Sequence, residues 1–167
     1  MTGVHLAVDL VNAYSEKPWP ATDLESILRD HAIRRCHATA PIARELHRWT
    51  ARLRAVFEAA DVDARCRAVN NLLAEGTSSA YLTTHDGLRP HLHFAAEVDD
   101  VASRVKAVTA GGLALFSVEA EGQRLGVCAA PGCTTAFVDT SRNGRRGYCT
   151  ARCGNTVAVR LHRERRA

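Results

Sequence analysis

Four cysteines fall within a short stretch near the end of this 167-residue chain. They form two close pairs, Cys128 with Cys133 and Cys149 with Cys153, and the pairs are separated by a loop of fifteen residues. A chain commonly presents four sulfurs to one tetrahedral metal ion in this way, because each pair comes from one tight turn. The spacing therefore predicts a zinc site with these four residues as its ligands.

The donor set also predicts the role of the metal. A site of four thiolates is closed, because no coordination position remains for water or substrate. We therefore expect one structural Zn²⁺ per chain, which supplies much of the folding free energy of a segment of about 40 residues. The alternatives are four unrelated thiols or two disulfides, and reduced cytosolic conditions argue against disulfides.

The segments around the cysteines indicate how the two pairs meet. Pro131-Gly132 favours a sharp turn inside the first pair, and Asn143-Gly144 is a preferred hairpin turn. We predict short strands at 136–138 and 147–148 on either side of that second turn. The segment that follows has helical composition, and two cysteines four residues apart face one side of a helix's first turn. A turn, a hairpin and a helix predict a treble-clef-like zinc finger.

Charge is unevenly distributed along the chain. Residues 124–167 carry nine arginines and two acidic side chains, a net charge of +7. Residues 1–123 carry 13 basic and 16 acidic side chains, a net charge of −3. This asymmetry is typical of a basic segment that binds a polyanion, attached to a body with a different role.

Arginine guanidinium groups suit both phosphates and guanine edges. Because aromatic residues are sparse in this segment, duplex DNA is favoured over single strands. The alternative is a solvated basic tail that only aids solubility. The predicted nucleic-acid contacts are Arg142, Arg145, Arg146, Arg152, Arg160 and Arg163.

The pattern over 1–122 predicts a mixed, mainly helical domain, and a second unit is predicted at 123–167. The whole chain is therefore expected to belong to the α+β class. Segment 4–14 fits either a strand or a short buried helix. The clearest helix lies within 40–61, where six apolar residues form one stripe: Ile42, Leu46, Trp49, Leu53, Val56 and Phe57.

Other helix boundaries follow from capping residues. Thr22 with Glu25 fits a capping box, and Asp61 or Asp63 fits an N-cap for a helix that ends at Gly76. A further helix is predicted from Asp99, with Gly111-Gly112 as a place where it bends or ends. Segment 80–97 alternates apolar and polar residues around Asp86-Gly87 and predicts a β-hairpin.

No catalytic motif stands out, and we expect no enzyme. An assembly of six polar residues into one site is an alternative. Within it, His91 and His93 on one strand face have the spacing of a metal-chelating pair. A solvent-facing polar edge explains these residues as well. The members of this assembly are His5, Asp9, Asn12, His85, His91 and His93. Cys36 and Cys66 are predicted to be buried thiols.

The sequence also bears on localisation. No run of 18 uninterrupted apolar residues occurs, so no membrane span is expected. The N-terminal residues lack the basic region of a signal peptide, and we expect a cytoplasmic protein.

The segment CAAPGCTTAFVDTSRNGRRGYCTARCGN resembles the CGNR-type zinc finger, in which the last cysteine opens the sequence Cys-Gly-Asn-Arg. The matches are the four cysteines, Phe137, Asp139, Ser141 to Gly144, Tyr148 and Cys153 to Asn155. Thr156 departs from this pattern, because the family signature has arginine there.

The N-terminal segment LAVDLVNAY is similar to the start of the ABATE domain, whose usual form is close to LALDFVNT. Leu6, Asp9, Val11 and Asn12 match. The two resemblances together imply a bacterial, stress-induced transcription regulator. Its zinc finger would bind double-stranded DNA, and its N-terminal domain would sense a small-molecule effector or form a homodimer. The alternative is a protein–protein adaptor that uses the zinc module as a docking scaffold.

Overall fold

The computed structural model describes residues 2–13, 19–33, 36–84, 89–94 and 100–166. Within these ranges helices and two short antiparallel hairpins alternate, which confirms the predicted α+β class. The elements in chain order are α1 (Thr2–Ala13), α2 (Ala21–Asp30), α3 (Ala40–Phe57), α4 (Val62–Gly76), β1 (Tyr81–Thr83), β2 (His91–His93), α5 (Val101–Glu119), β3 (Leu125–Val127), β4 (Ala136–Val138) and α6 (Ala151–Glu164).

The N-terminal segment, which fits both a strand and a helix by sequence, forms helix α1. Its buried side chains include Val4, Ala7, Leu10 and Val11, which follow the three- and four-residue spacing of one helix face. This face packs mainly against α5. A strand would have placed these residues on both sides of a sheet.

Helix α5 runs unbroken through Gly111-Gly112 to Glu119, so the predicted end at this pair is wrong. The glycines are needed for packing. A Cβ atom on Gly112 would lie 2.7 Å from Gly3 Cα in α1, and one on Gly111 would collide with the Phe94 ring. The absence of a side chain at Gly112 therefore lets the α1 and α5 backbones approach closely, and its absence at Gly111 leaves room for the Phe94 ring.

Helix α3 presents the predicted apolar stripe to the core. Leu46, Trp49 and Leu53 are at most 1% exposed, whereas Ile42 is only partly buried. The Trp49 indole packs against Gly76 of α4, where any side chain would collide with the ring. Its Nε1 donates to Thr109 Oγ1 of α5 at 3.0 Å. A single aromatic residue thus joins α3, α4 and α5.

The helix starts agree only in part with the capping predictions. Asp61 caps α4, accepting a hydrogen bond from the Ala64 amide at 2.7 Å. The Thr22–Glu25 capping box is wrong, because α2 begins at Ala21 directly after Pro20. Glu25 instead accepts a hydrogen bond from the amide of Ala38.

Helix α5 begins at Val101 and is capped by Asp100, whose side chain accepts from the Ser103 amide. The predicted start at Asp99 lies outside the described residues.

Strands β1 and β2 confirm the predicted hairpin within 80–97, with Leu82 opposite Leu92. The predicted turn at Asp86-Gly87 lies outside the described residues. Leu82 and Leu92 are exposed on one face, while Tyr81 and His93 are partly buried on the other.

The C-terminal hairpin pairs differently from the prediction. Strand β4 pairs with β3, so that Leu125 lies opposite Val138, and residues 147–148 form no strand. The physical reason is burial: Leu125 and Val138 both belong to the main hydrophobic core, and pairing β4 with 147–148 would not bring Leu125 there.

The main core continues past residue 122, where the predicted boundary lies, into this hairpin. Polar contacts reinforce the junction. The Asn12 side-chain amide donates to the Ala136 carbonyl at 2.9 Å and accepts from its amide at 2.8 Å. The buried Arg65 guanidinium donates to the carbonyls of Leu125 and Gly122. The division into 1–122 and 123–167 remains a prediction.

Helix α5 is long and apolar enough to cross a membrane by length and composition alone. In the structure its buried residues pack against α1, α3 and α4, which is the environment of a core helix.

Replacing Gly112 with alanine tests the close contact between α1 and α5. A glycine-to-alanine change inside a helix normally stabilises by roughly 0.5–1 kcal/mol. Here the added Cβ meets the Gly3 backbone, so we expect a net destabilisation of about 1–3 kcal/mol and a melting temperature lower by several degrees. Gly126→Ala is the matched control, since its nearest neighbour would lie 4.0 Å away. A Gly112→Ala chain as stable as the parent would contradict this packing.

Candidate metal centre

The first cysteine pair lies in a turn between β3 and β4. Cys128 follows β3 directly and donates its amide to the Thr135 carbonyl at 2.9 Å, while the Cys133 amide closes a tight turn on Ala130. Gly132 has a φ of +78°, a left-handed conformation that favours glycine. The predicted turn at Pro131-Gly132 is confirmed, and it brings both sulfurs to the same side.

The second pair flanks the start of α6. Cys149 lies before the helix and not in its first turn as predicted, because Thr150 is the N-cap. The Thr150 hydroxyl accepts from the Cys153 amide at 3.2 Å. The cap therefore fixes the direction of α6 relative to both ligands.

The four sulfurs of Cys128, Cys133, Cys149 and Cys153 lie within 4.8 Å of one another. Cys149 Sγ is 3.8 Å from Cys133 Sγ and 3.6 Å from Cys153 Sγ. Zinc–sulfur bonds of about 2.3 Å in a tetrahedron place sulfurs roughly 3.8 Å apart, whereas a disulfide needs about 2.05 Å. The cluster therefore fits a zinc ion, and the four cysteines would complete its coordination.

The electrostatics of the cluster favour a cation. Hydrogen bonds from the side chain and backbone of Thr135 lower the pKa of the Cys133 thiol to about 6. Burial and the neighbouring sulfurs raise the pKa of the Cys149 thiol to about 12. Sulfurs this close resist sharing four negative charges, and a divalent cation relieves that repulsion. Metal binding must therefore displace protons.

Arg146 lies beside the centre and stabilises its loop. Its amide donates to Asp139 Oδ2 at 2.8 Å, and its guanidinium donates to the carbonyls of Tyr148 and Cys149. The guanidinium also lies over the Phe137 ring, 5.5 Å from the ring centroid. Arg146, which the sequence predicted as a DNA contact, therefore also holds this loop in place, a role that its charge alone did not indicate.

Asp139 was not among the predicted site residues, yet it organises the loop before the second pair. It is 4% exposed and accepts hydrogen bonds from the amides of Ser141 and Arg146. Burial raises the pKa of this carboxyl, but hydrogen bonds from the Ser141 side chain and from the two amides, together with the nearby Arg124 charge, outweigh burial and hold the pKa below its usual value. An aspartate followed by Thr-Ser-Arg-Asn-Gly is a recognisable turn signal in the sequence.

Helix α6 presents a face that we call the cationic face. Three predicted DNA contacts share it with three uncharged residues: Arg152, Asn155, Thr156, Val159, Arg160 and Arg163. On the opposite side, Val157 packs against Cys128 and Ala130. Within the described ranges α6 packs against no other helix or strand, so the cysteine cluster is its main attachment.

The remaining predicted arginines lie on the loop before α6. Arg142 and Arg145 are exposed there. On α6 itself, Arg160 pairs with Glu164 at 3.4 Å, which neutralises part of the charge of that turn. The structure thus brings three of the six predicted arginines together on one helix face.

The polar residues of the body form separate groups. Asp9 pairs with His31 at 2.7 Å, and the Nε2 atoms of His91 and His93 lie 3.0 Å apart on the first hairpin. Asn12 bonds the Ala136 backbone. His5 is exposed, and His85 lies outside the described residues. In the part of the chain that the structure describes, the four cysteines are the one cluster of three or more metal-ligating residues.

The two other cysteines differ from each other. Cys66 is exposed, so the prediction of a buried thiol is wrong there, whereas Cys36 is partly buried against the core. Cys66 lies on the outer face of α4, whose apolar stripe is carried by Val69 and Leu72 instead.

Comparison with known families supports the C-terminal assignment. Residues 124–166 match the model of the CGNR zinc finger, which confirms the resemblance of this segment and places all four cysteines inside it. No curated protein shows significant similarity to the chain. The N-terminal resemblance to the ABATE domain stays a prediction.

Zinc affinity should rise with pH. At pH 7 the Cys149 thiol, with a pKa of about 12, keeps its proton until metal displaces it. We expect one zinc per chain, release of at least one proton on binding at pH 7, and weaker binding as pH falls. Calorimetric titration in two buffers of different ionisation enthalpy measures the protons released. The exposed Cys66→Ser variant is the control and should behave as the parent does. Binding that releases no protons would contradict this account of the centre.

Proposed function

We propose that this chain is a DNA-binding protein in which the metal centre presents the cationic face of α6 to duplex DNA. The observation that carries the proposal is that Arg152, Arg160 and Arg163 share one face of a helix that no other described element covers. An arginine-bearing helix of this kind can lie along the major groove and contact phosphates on both sides.

The surrounding charge supports the same function. Residues 124–167 carry a net charge of +7, and exposed Arg142 and Arg145 add to the field beside α6. Such a field attracts a polyanion and raises the rate of encounter. Binding that neutralises phosphates releases counterions, so it must weaken steeply with salt.

The body has a different role in this proposal. It senses a small-molecule effector or forms a homodimer, and the whole acts as a stress-responsive transcription regulator in the bacterial cytoplasm, not as an enzyme. Support comes from the contacts that join body and finger. Asn12 bonds the Ala136 backbone, and Arg54 bridges the carbonyls of Val11 and Thr134. A change in α1 or α3 would therefore reach the hairpin that carries the first cysteine pair.

A protein–protein adaptor is the second candidate. It is favoured by two apolar side chains on α6, since Val159 is 50% and Leu161 is 42% exposed. Apolar side chains beside arginines are common in protein–protein interfaces.

Fluorescence anisotropy with the zinc-loaded full chain and labelled duplexes tests the proposal across a salt series. If four to six arginines meet phosphates, log K falls against log salt with a slope of about −4 to −5. Arg152→Ala/Arg163→Ala should reduce this slope by about 2, whereas Arg67→Ala, on the exposed surface of α4, should leave it unchanged. Cys149→Ser should abolish binding.

Failure of the parent chain to bind duplexes even at low salt would overturn the DNA proposal. Retention of the full slope in the double variant would show that the cationic face is not the contact surface.

A further inference from the structure

The cationic face contains an uncharged strip. Asn155, Thr156 and Val159 lie between Arg152 at one end and Arg160 with Arg163 at the other. Neutralising phosphates is the task of the arginines, so these three residues are available for other contacts. Phosphate contacts fix the position of a protein on DNA, whereas base edges are read by amides and by apolar groups.

Asn155 carries the amide of this strip. Asn155 is exposed and lies in the second turn of α6 on the cationic face. A side-chain amide offers a donor and an acceptor in one plane, which matches the N7 acceptor and N6 donor of adenine. Among residues of α6, this is the group best suited to a bidentate contact with adenine.

Thr156 and Val159 supply apolar groups next to this amide. The Thr156 hydroxyl donates to the Arg152 carbonyl at 2.9 Å, so it is engaged within the helix while the methyl group is left for other contacts. Val159 is 50% exposed. Two neighbouring methyl-bearing side chains suit the 5-methyl group of thymine, which projects into the major groove.

We propose that α6 lies in the major groove with Asn155 contacting an adenine and with Thr156 and Val159 contacting the methyl group of a neighbouring thymine. The inference rests on the proposed function and deepens it, because it assigns sequence recognition to the uncharged strip and positioning to the arginines. A helix of 14 residues is about 21 Å long and fits a groove about 12 Å wide.

The test begins with selection of bound sequences from a pool of duplexes with a randomised centre, using the zinc-loaded full chain. The selected site should contain an A·T pair flanked by a thymine. Replacing its adenine with 7-deazaadenine removes the N7 acceptor and should weaken binding of the parent chain roughly 5- to 100-fold. The same replacement should leave the affinity of Asn155→Ala almost unchanged, because that variant has no amide to lose.

The thymine contact has a parallel test. Replacing the thymine with deoxyuridine removes one methyl group and should weaken binding of the parent chain about fourfold. Thr156→Ser, which removes only the side-chain methyl, should reduce this penalty. Arg163→Ala is the control for a positioning contact, and it should lower affinity to all duplexes alike and leave the selected site unchanged.

The outcomes separate this inference from the proposed function. Salt-dependent duplex binding without a selected sequence would overturn the inference and leave the DNA-binding proposal standing. An Asn155→Ala chain that selects the parent site and keeps the full 7-deazaadenine penalty would also overturn it. No duplex binding by the parent chain at low salt would overturn both. Zinc content of one per chain in each variant establishes that the finger is intact.

Discussion

Repulsion among four crowded sulfurs is the constraint on which the C-terminal architecture depends. Their Sγ atoms lie within 4.8 Å of one another, a distance at which four thiolates require a bound cation. The position of α6 follows from this cluster. The helix rests on it through Cys153 and Val157, and Tyr148 packs against Gly154. The direction in which the cationic face points is therefore set by the cysteine cluster more than by the main hydrophobic core.

The hairpin that carries the first cysteine pair has a different source of stability. Leu125 and Val138 are buried in the main core, and Asn12 pairs with the Ala136 backbone. Arg65 is 7% exposed, and burial lowers the pKa of its guanidinium. The guanidinium donates to carbonyls of both the body and the hairpin, which offsets the free-energy cost of burying its charge. Half of the cysteine cluster is thus attached to the body, and a metal bound by all four cysteines would attach α6 to that half.

Local sequence rules predicted the features that depend on local chemistry. Cysteine spacing predicted the metal centre, and the stripe around Trp49 predicted α3. The pairing of β3 with β4 was missed, because it depends on burial of Leu125 against distant helices and not on a local turn. The continuity of α5 was missed for a similar reason, since Gly112 makes sense only beside Gly3 of α1. Arg146 could not be separated from the other arginines, because its stacking on Phe137 is a tertiary contact.

Hydrogen–deuterium exchange of the full chain, with zinc bound and after removal by a chelator, tests the central claim most directly. The account predicts that amides of α6 lose protection when the metal is removed, while those of α1, α3, α5 and the β3–β4 hairpin keep theirs. Zinc analysis of the same samples establishes that the metal has left. Full protection of α6 in the metal-free chain would contradict the account, because the helix would then be held by something other than the metal centre.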